Sequence, residues 1–133
     1  MKKIIFACVH NAGRSQMAAA YFNHLVEPSM AKAVSAGTKP VERVHPEVLQ
    51  VMKEVGIDLS AAKPQALTQE LVQDANLLIT MGCGDECPYV PGLERDDWPL
   101  PDPKGKDINE VRRIRDEIRN RVSALIATLG RRI

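Results

Sequence analysis

The stretch Lys3-Ile4-Ile5-Phe6-Ala7-Cys8-Val9-His10-Asn11-Ala12-Gly13-Arg14-Ser15-Gln16-Met17-Ala18 decides the fold. Lys3 to Cys8 is a compact, β-prone run, the pattern of a strand buried on both faces. A polar loop with a glycine follows, His10 to Gly13. Beyond it, Ser15 to Val26 sets Met17, Tyr21, Phe22, Leu25 and Val26 at helical spacing. Buried strand, tight loop and amphipathic helix, in that order, open a parallel α/β unit.

The chain beyond repeats the alternation. Ala31 to Ala36 is a second short strand, closed by Gly37. His45 to Val55 carries Val48, Leu49, Val51, Met52 and Val55 at helical spacing, with Gly56 as its stop signal. Thr68 to Ala75 reads as a short helix capped by Thr68, and Leu77 to Met81 as a third buried strand ending at Gly82. Proline-rich irregular chain runs from Cys83 to Lys106, with a short strand near Glu94–Asp97. The final helix opens at Asp107, a capping residue, with Glu110 at the capping-box position. Ile108, Val111, Ile114, Ile118, Val122, Leu125, Ile126 and Leu129 form its apolar stripe, and Gly130 is its expected end. The reading is one α/β domain over residues 1–133, built on a parallel sheet. Ligands of such sheets bind beyond the carboxyl ends of the strands. Cys8 and Cys83 both fall at or just past such an end, so two cysteines distant in sequence share one rim.

Composition removes several function classes. The chain has 133 residues, 44% hydrophobic and 26% charged, which suits one domain with its own core. Eighteen basic and seventeen acidic residues leave a net charge of +1, without the basic excess of a nucleic-acid binder. Aromatic residues are 4%, too few for a base-stacking platform. No apolar run exceeds the six residues of Ile4 to Val9, where a membrane span needs about twenty. Lys2-Lys3 before that run only faintly mimics a signal peptide, and the expected compartment is the cytoplasm. Three cysteines, an odd number in a chain that needs no staples, argue for catalysis, redox chemistry or metal binding over a disulfide framework.

The loop Cys8-Val9-His10-Asn11-Ala12-Gly13-Arg14-Ser15 is a C-x5-R-S motif between strand and helix. A turn of this length can wrap a tetrahedral oxyanion with inward N–H groups, while the helix N-terminus adds partial positive charge. Arg14 can clamp two anion oxygens with its planar fork, and Gly13 permits backbone that a side chain resists. Cys8 stands at the base of this cradle. The same field favours the thiolate, the form that attacks, and Ser15 can give it a hydrogen bond. A thiolate in an oxyanion cradle implies nucleophilic attack on a phosphate-like group. The bland alternative is a buried cysteine near a surface arginine. The strand before, the helix after and the serine beside Arg14 weigh against it.

Cys83 and Cys87 lie four positions apart in Met81-Gly82-Cys83-Gly84-Asp85-Glu86-Cys87-Pro88. A mobile turn or a single helical turn can bring their sulfurs together as a redox pair, with a structural role as the plain alternative. As a zinc site the two are incomplete, and recruiting Cys8 and His10 would fill the anion cradle, so no metal is expected. Asp102, stiffened by Pro101 and Pro103, can hold a carboxyl over the cradle as general acid. Asp85, Asp96, Asp97 and Asp107 are rivals, and a solvated turn aspartate is the plain reading. Asn11 can brace its turn through side-chain bonds to the backbone, with Ser35 supporting it. His24 and His45 read as surface or cap residues.

Together these motifs, with Asp97-Trp98-Pro99 and Asp102-Pro103, resemble the low-molecular-weight phosphotyrosine phosphatase fold and, within it, the arsenate reductases. The resemblance runs along nearly the whole chain. It implies a four-stranded parallel sheet flanked by helices. It implies Cys8 as nucleophile, Arg14 as oxyanion clamp, Ser15 as thiolate stabiliser and Asp102 as general acid. Val9 to Ser15 would bind arsenate, with phosphate and sulfate as mimics. In thioredoxin-coupled relatives two late-loop cysteines relay the oxidation, and Cys83 and Cys87 match them. No cofactor is implied. Two departures matter. Ala19 stands where many relatives carry a carboxylate that in some helps hold a potassium ion. Lys104 and Gly105 stand where phosphatase relatives have tyrosines that stack on the substrate ring.

The expected activity is therefore reduction of arsenate to arsenite by three thiols, reset by thioredoxin. Rival readings are the same chemistry reset by a small thiol (glutathione or mycothiol with a glutaredoxin-like partner), a tyrosine phosphatase, and an arsenite-binding thiol sensor. A phosphatase has no chemical need for Cys83 and Cys87, and a sensor has none for Arg14.

Overall fold

The computed structural model describes residues 2–82 and 92–131. Four strands, β1 (Lys2–Cys8), β2 (Ala31–Gly37), β3 (Leu77–Thr80) and β4 (Glu94–Asp97), alternate with α1 (Arg14–Leu25), α2 (Pro46–Glu54), α3 (Gln69–Gln73) and α4 (Ile108–Arg131). The sheet order is β2-β1-β3-β4 and every pairing is parallel. The α/β expectation and the four-stranded parallel sheet are both borne out.

The register explains where chemistry collects. Cys8 pairs with Gly37, Ala7 with Thr80, and Thr80 with Asp97. All four strands therefore end along one rim, and the segments after β1, β2, β3 and β4 emerge together.

Side-chain alternation along β1 sorts two unequal layers. Ile4, Phe6 and Cys8 face a large core with Met17, Ala18 and Phe22 of α1, Val48, Val51 and Met52 of α2, and Val111, Ile114, Ile118 and Val122 of α4. Ile5 and Ala7 face a smaller cluster with Leu78 and Val72 of α3. Phe6 is fully buried, with Phe22 at 6.1 Å and Trp98 at 5.5 Å between ring centroids. A tilted aromatic trio of this kind anchors the core beneath the rim.

Some details depart from the sequence reading. Leu25, expected on the apolar stripe of α1, is 40% exposed. In its place Ala18 and Ala19 are buried, because α1 lies between the sheet and α4 and small residues let it approach both. Asp107 caps α4 as expected, its Oδ2 accepting from Asn109 N at 3.1 Å. Glu110 pairs with Arg113 instead of closing a capping box. The helix also runs through Gly130 to Arg131; a glycine in a last turn costs about 1 kcal/mol, too little to stop a helix this long. Thr68 caps α3, its hydroxyl oxygen accepting from Leu71 N.

The outer edge of β2 is covered. Asn23 of α1 clasps Ala33, donating to its carbonyl at 2.9 Å and accepting its N–H at 2.8 Å. Gln65 O accepts from Gly37 N, and Gly37 O accepts from Leu67 N. Covering the edge of a sheet blocks pairing with another chain. Among the described residues, no helix is long and apolar enough to cross a membrane.

Candidate active site

The loop from Cys8 to Arg14 turns its carbonyls outward. Thr38 N donates to Cys8 O at 3.3 Å, Lys39 N to Val9 O at 2.8 Å, Val41 N to His10 O at 3.2 Å and His45 N to Ala12 O at 3.0 Å. The Asn11 carbonyl accepts from Gln16 Nε2 at 3.1 Å. No cis peptide occurs among the described residues. In a trans peptide the N–H points opposite the carbonyl of the same plane. Five outward carbonyls therefore turn the N–H groups of Val9, His10, Asn11, Ala12 and Gly13 to the other side. No side chain caps the N-terminus of α1 at Gly13, so that end keeps its unpaired donors and partial positive charge. The outcome is a bowl of backbone N–H groups whose geometry suits an anion.

Asn11 makes the bowl possible. It is the one non-glycine residue among those described with positive φ, at 52°. Asparagine tolerates that conformation better than most residues. Its side-chain orientation follows from a backbone donor: Gln65 N gives its hydrogen to Asn11 Oδ1 at 2.9 Å. The amide nitrogen then faces the other way and donates to Ser15 Oγ at 2.7 Å. Ser15 Oγ in turn lies 2.8 Å from Cys8 Sγ, a hydrogen bond in which the hydroxyl can donate to the sulfur. Cys8 is 3% exposed and carries no disulfide.

Arg14 is buried, and its Nη1 donates to Leu100 O at 2.8 Å. Its Nε has no protein partner. A buried guanidinium nitrogen left open in this way is suited to an oxyanion oxygen. Gly13 is overlain by the loop after β4: a Cβ there would lie 2.8 Å from Pro103 Cγ. Asp102, the preceding residue, is half-buried, and its Oδ1 accepts from Lys104 N at 3.0 Å.

The rival aspartates are used otherwise. Asp97 Oδ1 accepts from Thr80 Oγ at 2.6 Å, Asp96 Oδ2 accepts from Trp98 Nε1 at 3.3 Å, and Asp107 caps α4. Asp85, Cys83 and Cys87 lie outside the described residues. The expected support of Asn11 by Ser35 is indirect: Gln65 bridges them, with Nε2 donating to Ser35 O at 2.8 Å. Gln16, Gln65 and the His45 backbone are bracing groups that the sequence reading missed. Glutamine amides and main-chain donors carry no local signature when their partners lie up to 54 positions away.

The potassium ion of some relatives does not fit here. Ala19 brings no oxygen, and the nearby Asn11 Oδ1, Asn11 O and Ser35 O face N–H donors from Gln16 and Gln65. These donors stand where a cation needs oxygen ligands. Among the described residues, no group of three or more His, Cys, Asp or Glu side chains is placed to hold a metal.

Comparison with known proteins adds kinship. The family described as low molecular weight phosphotyrosine protein phosphatase matches residues 3–133. A glutaredoxin arsenate reductase of Synechocystis is 35% identical, covering 98% of this chain and 100% of its own. The structure of a thioredoxin-dependent arsenate reductase of Corynebacterium glutamicum is 38% identical with a TM-score of 0.87, covering 100% of this chain. This chain spans only 64% of that longer protein. A structure of an arsenate reductase in the phosphate-binding state is 32% identical, with a TM-score of 0.83 and coverage of 97% and 99%.

Proposed function

Because this chain belongs to the low molecular weight phosphotyrosine protein phosphatase family, and its backbone bowl suits a tetrahedral oxyanion, we propose that it reduces arsenate to arsenite. The observation that carries the proposal is the Asn11–Ser15–Cys8 chain at the floor of that bowl, with contacts of 2.7 Å and 2.8 Å. It sets a hydroxyl within hydrogen-bond distance of the sulfur that opens the N–H-lined loop. The phosphate held by one relative is the stable mimic of arsenate.

Atoms and electrons balance at each step. Arsenate sits on the N–H groups of residues 9–13 and the open edge of Arg14. The Cys8 thiolate attacks arsenic, and one As–O bond breaks. The oxygen leaves as water with a proton from Asp102. Cys83 then attacks the Cys8 sulfur. An S–S bond forms and the S–As electron pair stays on arsenic, which falls from the +5 to the +3 state and leaves as arsenite. Cys87 attacks Cys83, freeing Cys8 and leaving Cys83–Cys87. An external dithiol resets that pair by exchange. Relatives of both thioredoxin and glutaredoxin type stand close to this chain. The Cys83 and Cys87 pair favours thioredoxin, since a small-thiol route needs no second relay cysteine. Reduced thiols require a reducing compartment, and the cytoplasm supplies one.

Steady-state arsenate turnover tests this with a thioredoxin couple and with a glutathione–glutaredoxin couple. Turnover with thioredoxin that is abolished separately by Cys8→Ser, Cys83→Ser and Cys87→Ser is expected. Full turnover by Cys87→Ser overturns the second relay step. Efficient phosphotyrosine hydrolysis without arsenate reduction would replace the reading with a phosphatase.

A further inference from the structure

We infer that Gly82 is a positioning residue for the oxyanion site: its missing side chain fixes the plane and reach of Arg14. The inference rests on the cradle reading above and adds a residue that no motif singles out as part of it. Gly82 has φ of +92°. A Cβ built on it would lie 2.8 Å from Arg14 Nη1 and 3.9 Å from Arg14 Cζ. Real Cβ atoms do not approach a heavy atom this closely, so the Arg14 side chain would have to swing away, at the expense of its bond to Leu100 O. Arg14 Nη1 also donates to Leu100 O at 2.8 Å, and that oxygen would itself lie 3.8 Å from the added Cβ. The guanidinium is therefore wedged into the angle formed by the main chain at Gly82 and the carbonyl of Leu100.

That wedge has a chemical consequence. Fixing Nη1 leaves the edge formed by Nε and Nη2 as the fork that can grip two oxygens in parallel. Nε, on that edge, is buried and unpartnered. Gly82 is itself pinned to the rim, its N–H reaching Asp97 Oδ1 at 3.4 Å, where Thr80 Oγ also donates at 2.6 Å. The residue directly before Cys83 in sequence thus forms one wall of the anion clamp.

The test measures anion binding without arsenate chemistry. Inorganic phosphate is titrated against the rate at which iodoacetamide alkylates Cys8 in the reduced full chain, followed by mass spectrometry of the Cys8 peptide. Phosphate is expected to protect the wild type. In Gly82→Ala the protecting concentration rises about 10- to 100-fold, the loss of charge-assisted bonds. In an Arg14→Lys background the same substitution costs little, because the slender lysine head does not meet the new Cβ. Gly82→Asn, which tolerates positive φ but still carries a Cβ, is expected to lose protection as Gly82→Ala does. It serves if Gly82→Ala folds poorly. Equal protection of the wild type and both Gly82 variants overturns the positioning role alone. So does an equal loss whether or not the Arg14→Lys substitution is present, which marks general backbone damage. Absence of protection in the wild type overturns the cradle, and this inference with it.

Discussion

Ser15 is the residue on which the proposed chemistry turns, because its hydroxyl links the Asn11 amide to the Cys8 sulfur. Ser15→Ala removes the hydroxyl beside Cys8 and leaves Asn11 Nδ2 without its acceptor. Arsenate turnover is expected to fall about 10- to 100-fold, the usual worth of a hydrogen bond to a charged group. Steady-state kinetics with circular dichroism on the same sample checks this. The cysteine, arginine and serine of this loop were readable in the sequence, since their chemistry is tied to residue type and fixed spacing. Gly82, Leu100, Gln16 and Gln65 were not. Leu100 acts through a carbonyl that every residue has, and Gln65 reaches Asn11 only because β2 and the segment after it bring it there.

At the scale of elements, β1, α1, β2, β3 and α4 were readable because apolar spacing and end signals agreed. β4 is a subtler case. All four of its residues are exposed, so its existence rests on parallel pairing with β3 more than on a buried face of its own. The burial of α1 on most sides was invisible for a related reason: it depends on α4 arriving from the far end of the chain. The Asn23 clasp on β2 belongs to this scale. Asn23→Ala leaves the Ala33 N–H and carbonyl to water and uncovers an edge. Urea denaturation is expected to show a loss of about 1–2 kcal/mol. Thr68→Ala, which removes the cap of α3, is expected to cost about 1 kcal/mol by the same assay.

For the whole molecule, the charge network predicts acid sensitivity. Glu54, at the end of α2, is held below the ordinary carboxylate range by hydrogen bonds from Arg112 and then Arg115 of α4. Asp58 is lowered by the Ser60 N–H, and Asp74 by the Lys3 ammonium. A carboxylate depressed in the folded state adds stability above its unfolded pKa of about 4. That contribution fades as pH falls through the lower folded value. Urea midpoints are expected to hold between pH 7 and pH 5 and to drop towards pH 3, with a shallower drop in Glu54→Gln. At the alkaline end, burial raises Tyr21 above its ordinary value of 10.0. Stability is lost as pH climbs past that value towards the higher folded one. Exchange of potassium for sodium at constant ionic strength is expected to leave turnover unchanged, because amide donors brace Asn11.

In the proposed reaction one buried sulfur, set in a bowl of backbone donors, delivers arsenic its two electrons with the help of a second sulfur. A single turnover of the pre-reduced chain with excess arsenate, in the absence of any reductant, tests it most directly. About one arsenite released per chain and the loss of two of the three titratable thiols are expected. No arsenite, with all three thiols still titratable, would contradict it.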